Sequence, residues 1–152
     1  MFDHARVVAV GFSNGALMVE DLGCRLAGRL AMIVPVEGEL AERQSAHCAP
    51  AKPISVYEVH GTADTAIPYS GGQFGGSDGP VELSAPKSAA RWAALDHCAP
   101  SPRHTSASSS IRLATYHGCR HAVVVTLRTI VGGVHQWEPD IGWVVHAALP
   151  RA

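Results

Sequence analysis

Three side chains able to carry acyl-transfer chemistry follow glycines at widely separated places in the chain. Ser13 is the centre of Gly11-Phe12-Ser13-Asn14-Gly15, Asp64 follows Gly61-Thr62-Ala63, and His135 follows Gly132-Gly133-Val134. The serine motif is G-x-S-x-G, where a sharp strand-to-helix turn exposes the hydroxyl and aims the next N–H at the same space. Side chains larger than hydrogen at positions 11 and 15 are expected to collide with neighbouring backbone. A serine hydroxyl is a weak nucleophile until a base takes its proton, and the base in turn needs a carboxylate to hold its tautomer. The roles that follow are Ser13 as nucleophile on an ester carbonyl, His135 as general base and then acid, and Asp64 as the orienting acid. The backbone N–H of Asn14 becomes an oxyanion donor.

Each residue has a plainer reading. Asp64 after Gly-Thr-Ala is good turn chemistry before Pro68, and Asp78 is the fallback acid inside a glycine-rich passage. With nine histidines, one can fall in a glycine loop by chance. His60 reads as a packed structural residue, and Trp137 suits either a substrate wall or the core. A different chemistry is also open. His117, Cys119 and His121 have the i, i+2 spacing that puts ligands on one strand face, although no fourth metal ligand sits at a familiar spacing.

The elements that must position these groups alternate in type. Arg6–Val10 is a continuous apolar run ended by glycine, the pattern of a short, fully buried strand. Leu17, Met18, Leu22, Leu26 and Leu30 recur at helical steps, which predicts an amphipathic helix from Asn14 to about Leu30. Residues 31–36 and 54–60 predict two further strands, with a loop or short helix carrying Cys48 between them. The Gly-rich residues 70–79 lack a phosphate-loop ending and read as a flexible surface loop. Residues 84–97 predict a helix with Trp92 and Leu95 inward and Ser84 or Ser88 as cap. Residues 100–110 read as a Ser/Pro-rich loop, 111–116 and 122–130 as strands, and 140–149 as a last amphipathic helix. Strands alternating with helices mean an α/β protein with a mainly parallel sheet. In such sheets, sites form beyond the carboxyl ends of the strands, where Ser13, Asp64 and His135 all fall.

Composition narrows the class. The chain has 152 residues, 47% hydrophobic, enough for a single domain over 1–152 with a real core. Twelve Lys+Arg balance thirteen Asp+Glu, so there is no basic footprint for nucleic acid and no polybasic run for a membrane surface. No run approaches a membrane span, and the first residues carry no signal-peptide pattern. Oligomeric state leaves no mark on the composition. Cys24, Cys48, Cys98 and Cys119 form no C-x-x-C, which favours two disulfides over four free thiols. Disulfides require an oxidising compartment.

Gly-Phe-Ser-Asn-Gly-Ala at 11–16, Val-His-Gly-Thr-Ala-Asp with Ile-Pro-Tyr-Ser-Gly-Gly at 59–72, Ala90-Arg-Trp92 leading to Cys98, and Gly-Gly-Val-His-Gln-Trp at 132–137 resemble the polyhydroxybutyrate depolymerase family of esterases. Its relatives include feruloyl and acetylxylan esterases. The resemblance implies an α/β-hydrolase-like three-layer sandwich, no cofactor, a small ester or polyester substrate, and a secreted or periplasmic enzyme. It carries Ser13, Asp64 and His135 onto a catalytic triad and implies the pairs Cys24–Cys48 and Cys98–Cys119. Val134 and Gln136 depart from the family pattern, and a β-branched residue beside the histidine is expected to stiffen its loop. The family begins well upstream, with further strands and a histidine–glycine loop giving a second oxyanion N–H. The chain therefore reads as the C-terminal portion of a longer esterase, lacking the N-terminal strands and leaving residues 6–10 as an exposed edge. The alternative is an inert remnant or binding module of the same fold.

Overall fold

A computed structural model of the chain describes residues 7–148. In chain order the elements are β1 (Val8–Phe12), α1 (Asn14–Leu26), β2 (Met32–Val36), α2 (Glu42–His47), β3 (Ser55–Gly61), β4 (Gly72–Gln73), β5 (Val81–Glu82), α3 (Ala85–Leu95), β6 (Arg103–Ser106), β7 (Ile111–Tyr116), β8 (Val125–Ile130) and α4 (Ile141–Ala148). Six strands make one sheet in the order β1-β2-β3-β8-β7-β6. The first four run parallel, and β7 and β6 continue antiparallel.

Helices cover both faces, giving three layers. On one face α1, the turn after it and α3 bury Val19, Ala27, Ala89 and Trp92 against Ile33, Val56, Val125 and Leu127. On the other, Ile141 and Val144 of α4 pack on Met32, Val34, Val36 and Val59. The alternation of these residues along β2 and β3 is what a sheet with two dry faces requires.

Several elements depart from the sequence reading. Of the first strand expected at 6–10, residue 6 lies outside the described residues; β1 runs on to Phe12 and is half-buried rather than fully buried, because it forms one edge of the described sheet. The long helix ends at Leu26, followed by a single 3-10 turn at Ala27–Arg29. Its buried face is Ala16, Val19, Glu20 and Gly23, while Met18 is 66% exposed and Leu26 is also outside. Small residues win that face because α1 lies close to its neighbours. A Cβ on Gly23 would sit 2.7 Å from Ile33 Cδ1 and 3.0 Å from Trp92 Cη2. The glycine-rich 70–79 passage holds β4, which pairs with β5 as a short antiparallel hairpin. The 100–110 loop holds β6, whose backbone pairs with β7 although its own side chains are all exposed. Strand β8 begins at Val125, after a 3-10 turn at Arg120–Ala122. Ser84 occupies the α3 N-cap position without a side-chain cap bond, and Ser88 Oγ instead donates to Glu58 Oε1 at 2.6 Å. Of the last helix, residue 149 lies outside the described residues.

The core is unusually acidic. Glu20, Glu39, Glu58 and Glu82 are all buried between α1, the sheet and α3. Trp92 Nε1 donates to Glu20 Oε2 at 2.6 Å, and the Glu39 N–H donates to Glu82 Oε2 at 3.2 Å. Burial, then mutual repulsion, raises Glu20, Glu39 and Glu58 well above the ordinary carboxylate range. Burial also raises Glu37, Glu82 and Asp96 to about 7. Glu20 Oε1, Glu39 Oε2 and Glu58 Oε2 have no hydrogen-bond partner among the described residues, and burial without a partner favours the protonated form of a carboxyl.

Both cysteine pairs are closed, Cys24 with Cys48 and Cys98 with Cys119. The second spans 21 positions and ties the end of α3 to the turn before β8. Replacing Cys98 and Cys119 together by serine is expected to cost about 3 kcal/mol through the freed unfolded chain. At this chain length that lowers Tm by roughly 6–12 °C in a calorimetric scan. The acidic core sets a second expectation. Carboxyls that stay protonated up to about 7 in the folded state, but release near 4 when unfolded, make the native state bind more protons across that interval. Stability therefore falls as pH rises through it, and Tm should be higher near about pH 5 than near about pH 8. A Tm that is flat or rising over that range would contradict the burial-raised carboxyls.

Candidate active site

At the carboxyl end of β1 the chain turns directly into α1, and Ser13 is the turn. Its backbone sits at φ 56°, ψ −123°, the left-handed side of the map that a side-chain-bearing residue adopts only under constraint. The constraint is local. Ser13 N–H donates to Val36 O at 2.9 Å, and a Cβ on Gly11 would collide with the Gly15 carbonyl. Gly15 itself has open space around it, so of the two glycines only Gly11 is required by close approach. Asn14 is the first residue of α1, where a backbone N–H has no partner inside the helix.

The ends of β3 and β8 are bound to each other. Thr62 N–H donates to Ile130 O at 2.9 Å, Ala63 N–H to Gly133 O at 2.8 Å, and Gly132 N–H to Thr62 Oγ1 at 2.8 Å. Gly61 lies so close to Gly133 that a Cβ there would land on the Gly133 carbonyl. Two loops that are far apart in sequence thus behave as one piece. One carries Asp64 and the other His135.

The three side chains meet above the sheet rim. His135 Nε2 is 2.9 Å from Ser13 Oγ, and His135 Nδ1 is 2.7 Å from Asp64 Oδ2. Asp64 is 6% exposed and its other oxygen accepts two backbone N–H groups, from Ala66 at 2.7 Å and Ile67 at 2.9 Å. Burial pushes the Asp64 carboxyl up, but the hydrogen bonds from His135, Ile67, Ala66 and Glu37 outweigh it and hold the group below its ordinary value. Asp64 is therefore an anion in neutral solution. A carboxylate on Nδ1 makes that nitrogen the donor and leaves Nε2 free to accept the serine proton.

The remaining sequence expectations separate cleanly. Phe12 stacks on the His135 ring with centroids 4.9 Å apart and meets Trp137 edge-on at 6.2 Å. Trp137 is 47% exposed, which removes the core reading and leaves it as an apolar surface beside His135. Val134 points outward, so the β-branched side chain is accommodated in solvent. Asp78 is exposed in the turn before β5 and makes no contact with His135. The proposed metal ligands do not gather. Cys119 is spent in a disulfide, and His117 and His121 lie beyond the end of β7, off the strand that was to align them.

Reading the sequence missed the acidic surroundings of His60. His60 is fully buried; Nδ1 is 2.7 Å from Glu39 Oε1 and Nε2 is 2.9 Å from Ile67 O. Glu37, also buried, accepts the Gly61 N–H at 3.1 Å. Glu37, His60 and Asp64 bring donor atoms within 4.8 Å of one another, as do Glu20, Glu39 and Glu58. In the first set the His60 nitrogens already face Glu39 and Ile67, and in the second, burial raises all three carboxyls well above their ordinary value. A signal was present: Glu58 and His60 at i, i+2 in a strand that is otherwise apolar put two polar groups on one buried face.

Two comparisons bear on this architecture. The phospholipase/carboxylesterase family of α/β hydrolases matches residues 2–75, the stretch holding Ser13 and Asp64. Feruloyl esterase B of Piromyces equi is 31% identical over 146 residues, covering 93% of this chain and 27% of that protein. The chain thus spans about a quarter of the length of the curated relative it matches. Sheet order, family match and relative agree, and the resemblance of this chain is to an esterase family with the α/β-hydrolase fold.

Proposed function

We propose that the chain is a serine-dependent carboxylic ester hydrolase, with Ser13 as nucleophile, His135 as general base and acid, and Asp64 as the carboxylate that orients the imidazole. The observation that carries this reading is the unbroken line of hydrogen bonds Ser13 Oγ–His135–Asp64 at 2.9 and 2.7 Å. Ser13 Oγ bonds to the ester carbonyl carbon while its proton passes to His135 Nε2. The imidazolium is stabilised by Asp64 through Nδ1–H. The carbonyl oxygen becomes an oxyanion, for which the proposal assigns the Asn14 N–H at the head of α1 as a donor. Collapse expels the alcohol, which takes its proton from His135. Water, deprotonated by the same imidazole, then releases the acid and restores the serine.

The substrate class under this proposal is a small ester or a hydroxyacid polyester of the polyhydroxybutyrate type, lying against the exposed ring of Trp137 and the half-buried Phe12 beside it. No cofactor enters any step. Two closed disulfides support an extracellular or periplasmic setting, since such bonds persist where the solution is oxidising.

Hydrolysis of para-nitrophenyl butyrate tests the assignment. Ser13→Ala is expected to lower kcat by about 10⁴-fold or more with the fold intact, and Asp64→Asn by about 10²- to 10⁴-fold. A native protein that folds cooperatively yet gives no turnover would instead favour the inert remnant of the same fold.

A further inference from the structure

The loop that carries Asp64 returns to β3 through one buried imidazole. Ile67 O is a carbonyl and only accepts, so the His60 Nε2 that lies 2.9 Å from it carries a hydrogen. That same nitrogen is 3.3 Å from Asp64 Oδ2, the oxygen that receives His135, and 3.4 Å from Glu37 Oε2. Behind it, Nδ1 is anchored at 2.7 Å on Glu39. The far side of the ring meets Tyr69 edge-on at 5.7 Å, and Tyr69 is itself tied to Thr129 of β8 at 2.9 Å. His60 has no exposed atom surface to speak of, so nothing in solvent substitutes for these contacts.

We propose that His60 is a positioning residue for the ester hydrolysis assigned above: its Nε2–H holds the Ile67 carbonyl and so anchors from behind the turn whose Ala66 and Ile67 N–H groups set the Asp64 carboxylate that orients His135. The inference rests on the triad reading. It goes beyond that reading by extending the working unit one layer into the core, to Glu39 and through Tyr69 to β8. Asp64 Oδ1 is held by the N–H groups of Ala66 and Ile67, and Oδ2 faces His135 in front, with Glu37 and the His60 ring behind. Without the His60–Ile67 bond the turn that holds Oδ1 loses its rear anchor, and the imidazole loses its reference.

Two substitutions separate positioning from packing. Asn at this position reaches about as far as Nδ1 and can keep Glu39 paired, but it lacks a donor where Nε2 stands. Gln reaches about as far as Nε2. The probe is a fluorophosphonate that esterifies an activated serine, followed by intact mass and peptide mapping to Ser13. His60→Asn is expected to slow labelling by about 10- to 100-fold with Tm still measurable, and His60→Gln to recover most of that loss. In an Asp64→Asn background the His60→Asn penalty should shrink to within about twofold, since the two residues act as a unit. Folded His60→Asn that labels at the native rate, or a penalty that persists in full with Asp64→Asn, overturns the proposal. If His60→Asn does not fold, the imidazole proton of native His60 decides: its NMR resonance must move in Asp64→Asn, and an unmoved resonance overturns the proposal equally. A native protein that does not label at Ser13 at all sinks the hydrolase reading itself, a result distinct from native labelling that His60 does not affect.

Discussion

A carboxylate nearly removed from water has to be compensated by its surroundings, and at Asp64 that compensation organises everything near it. An unpartnered charge at such a depth costs several kcal/mol. Here one oxygen takes two backbone N–H groups from residues 66 and 67, and the other takes the His135 ring. The turn-capping reading and the acid reading of Asp64 are thus both present, one on each oxygen. The cap sets the direction of the carboxylate and the carboxylate sets the direction of the imidazole. Because the residue's pairing is split in this way, the 61–67 loop and the 131–137 loop cannot shift independently.

Backbone contacts rather than side-chain packing hold the rest of the site. Gly61 against Gly133 and Gly11 against Gly15 bring main chains closer than any side chain allows. The strained Ser13 backbone, at a cost on the order of 1–3 kcal/mol, persists because β2 on one side and α1 on the other leave it no alternative. A site built this way tolerates change at its outward positions. Val134 illustrates that: a bulky residue directly before His135 simply points to solvent.

Beneath the site lies a core in which carboxyl groups replace several aliphatic contacts. Glu20 receives the Trp92 indole, Glu58 receives the Ser88 hydroxyl, and Glu39 shares a hydrogen bond with the His60 ring. These bonds link α1, α3 and β3 through directed contacts, which aliphatic packing does not supply. Their stability depends on protons as much as on geometry. The same proton-dependent layer adjoins the triad at Glu37 and Glu39, so core and site are electrostatically one neighbourhood.

The sequence by itself determined the parts that obey local rules. Glycine after a short apolar run ends a strand wherever it occurs, so the strands β1, β2, β3, β7 and β8 and the glycine-flanked Ser13, Asp64 and His135 were legible, as was the helix around Trp92. Local rules misjudged α1, whose buried face follows the room beside Ile33 and Trp92 rather than the placement of its leucines. They also missed the pairings of β4 with β5 and β6 with β7, because a backbone hydrogen bond leaves no mark on side-chain composition. Only the tertiary structure decided that β8 inserts beside β3, which sets His135 against Asp64 across 71 positions of chain, and that Glu37 and Glu39 after β2 and Glu58 within β3 are all buried together. The reason is that contact between distant segments depends on strand order and on where buried charge finds partners, and both are properties of the assembled sheet, absent from any stretch of residues read alone.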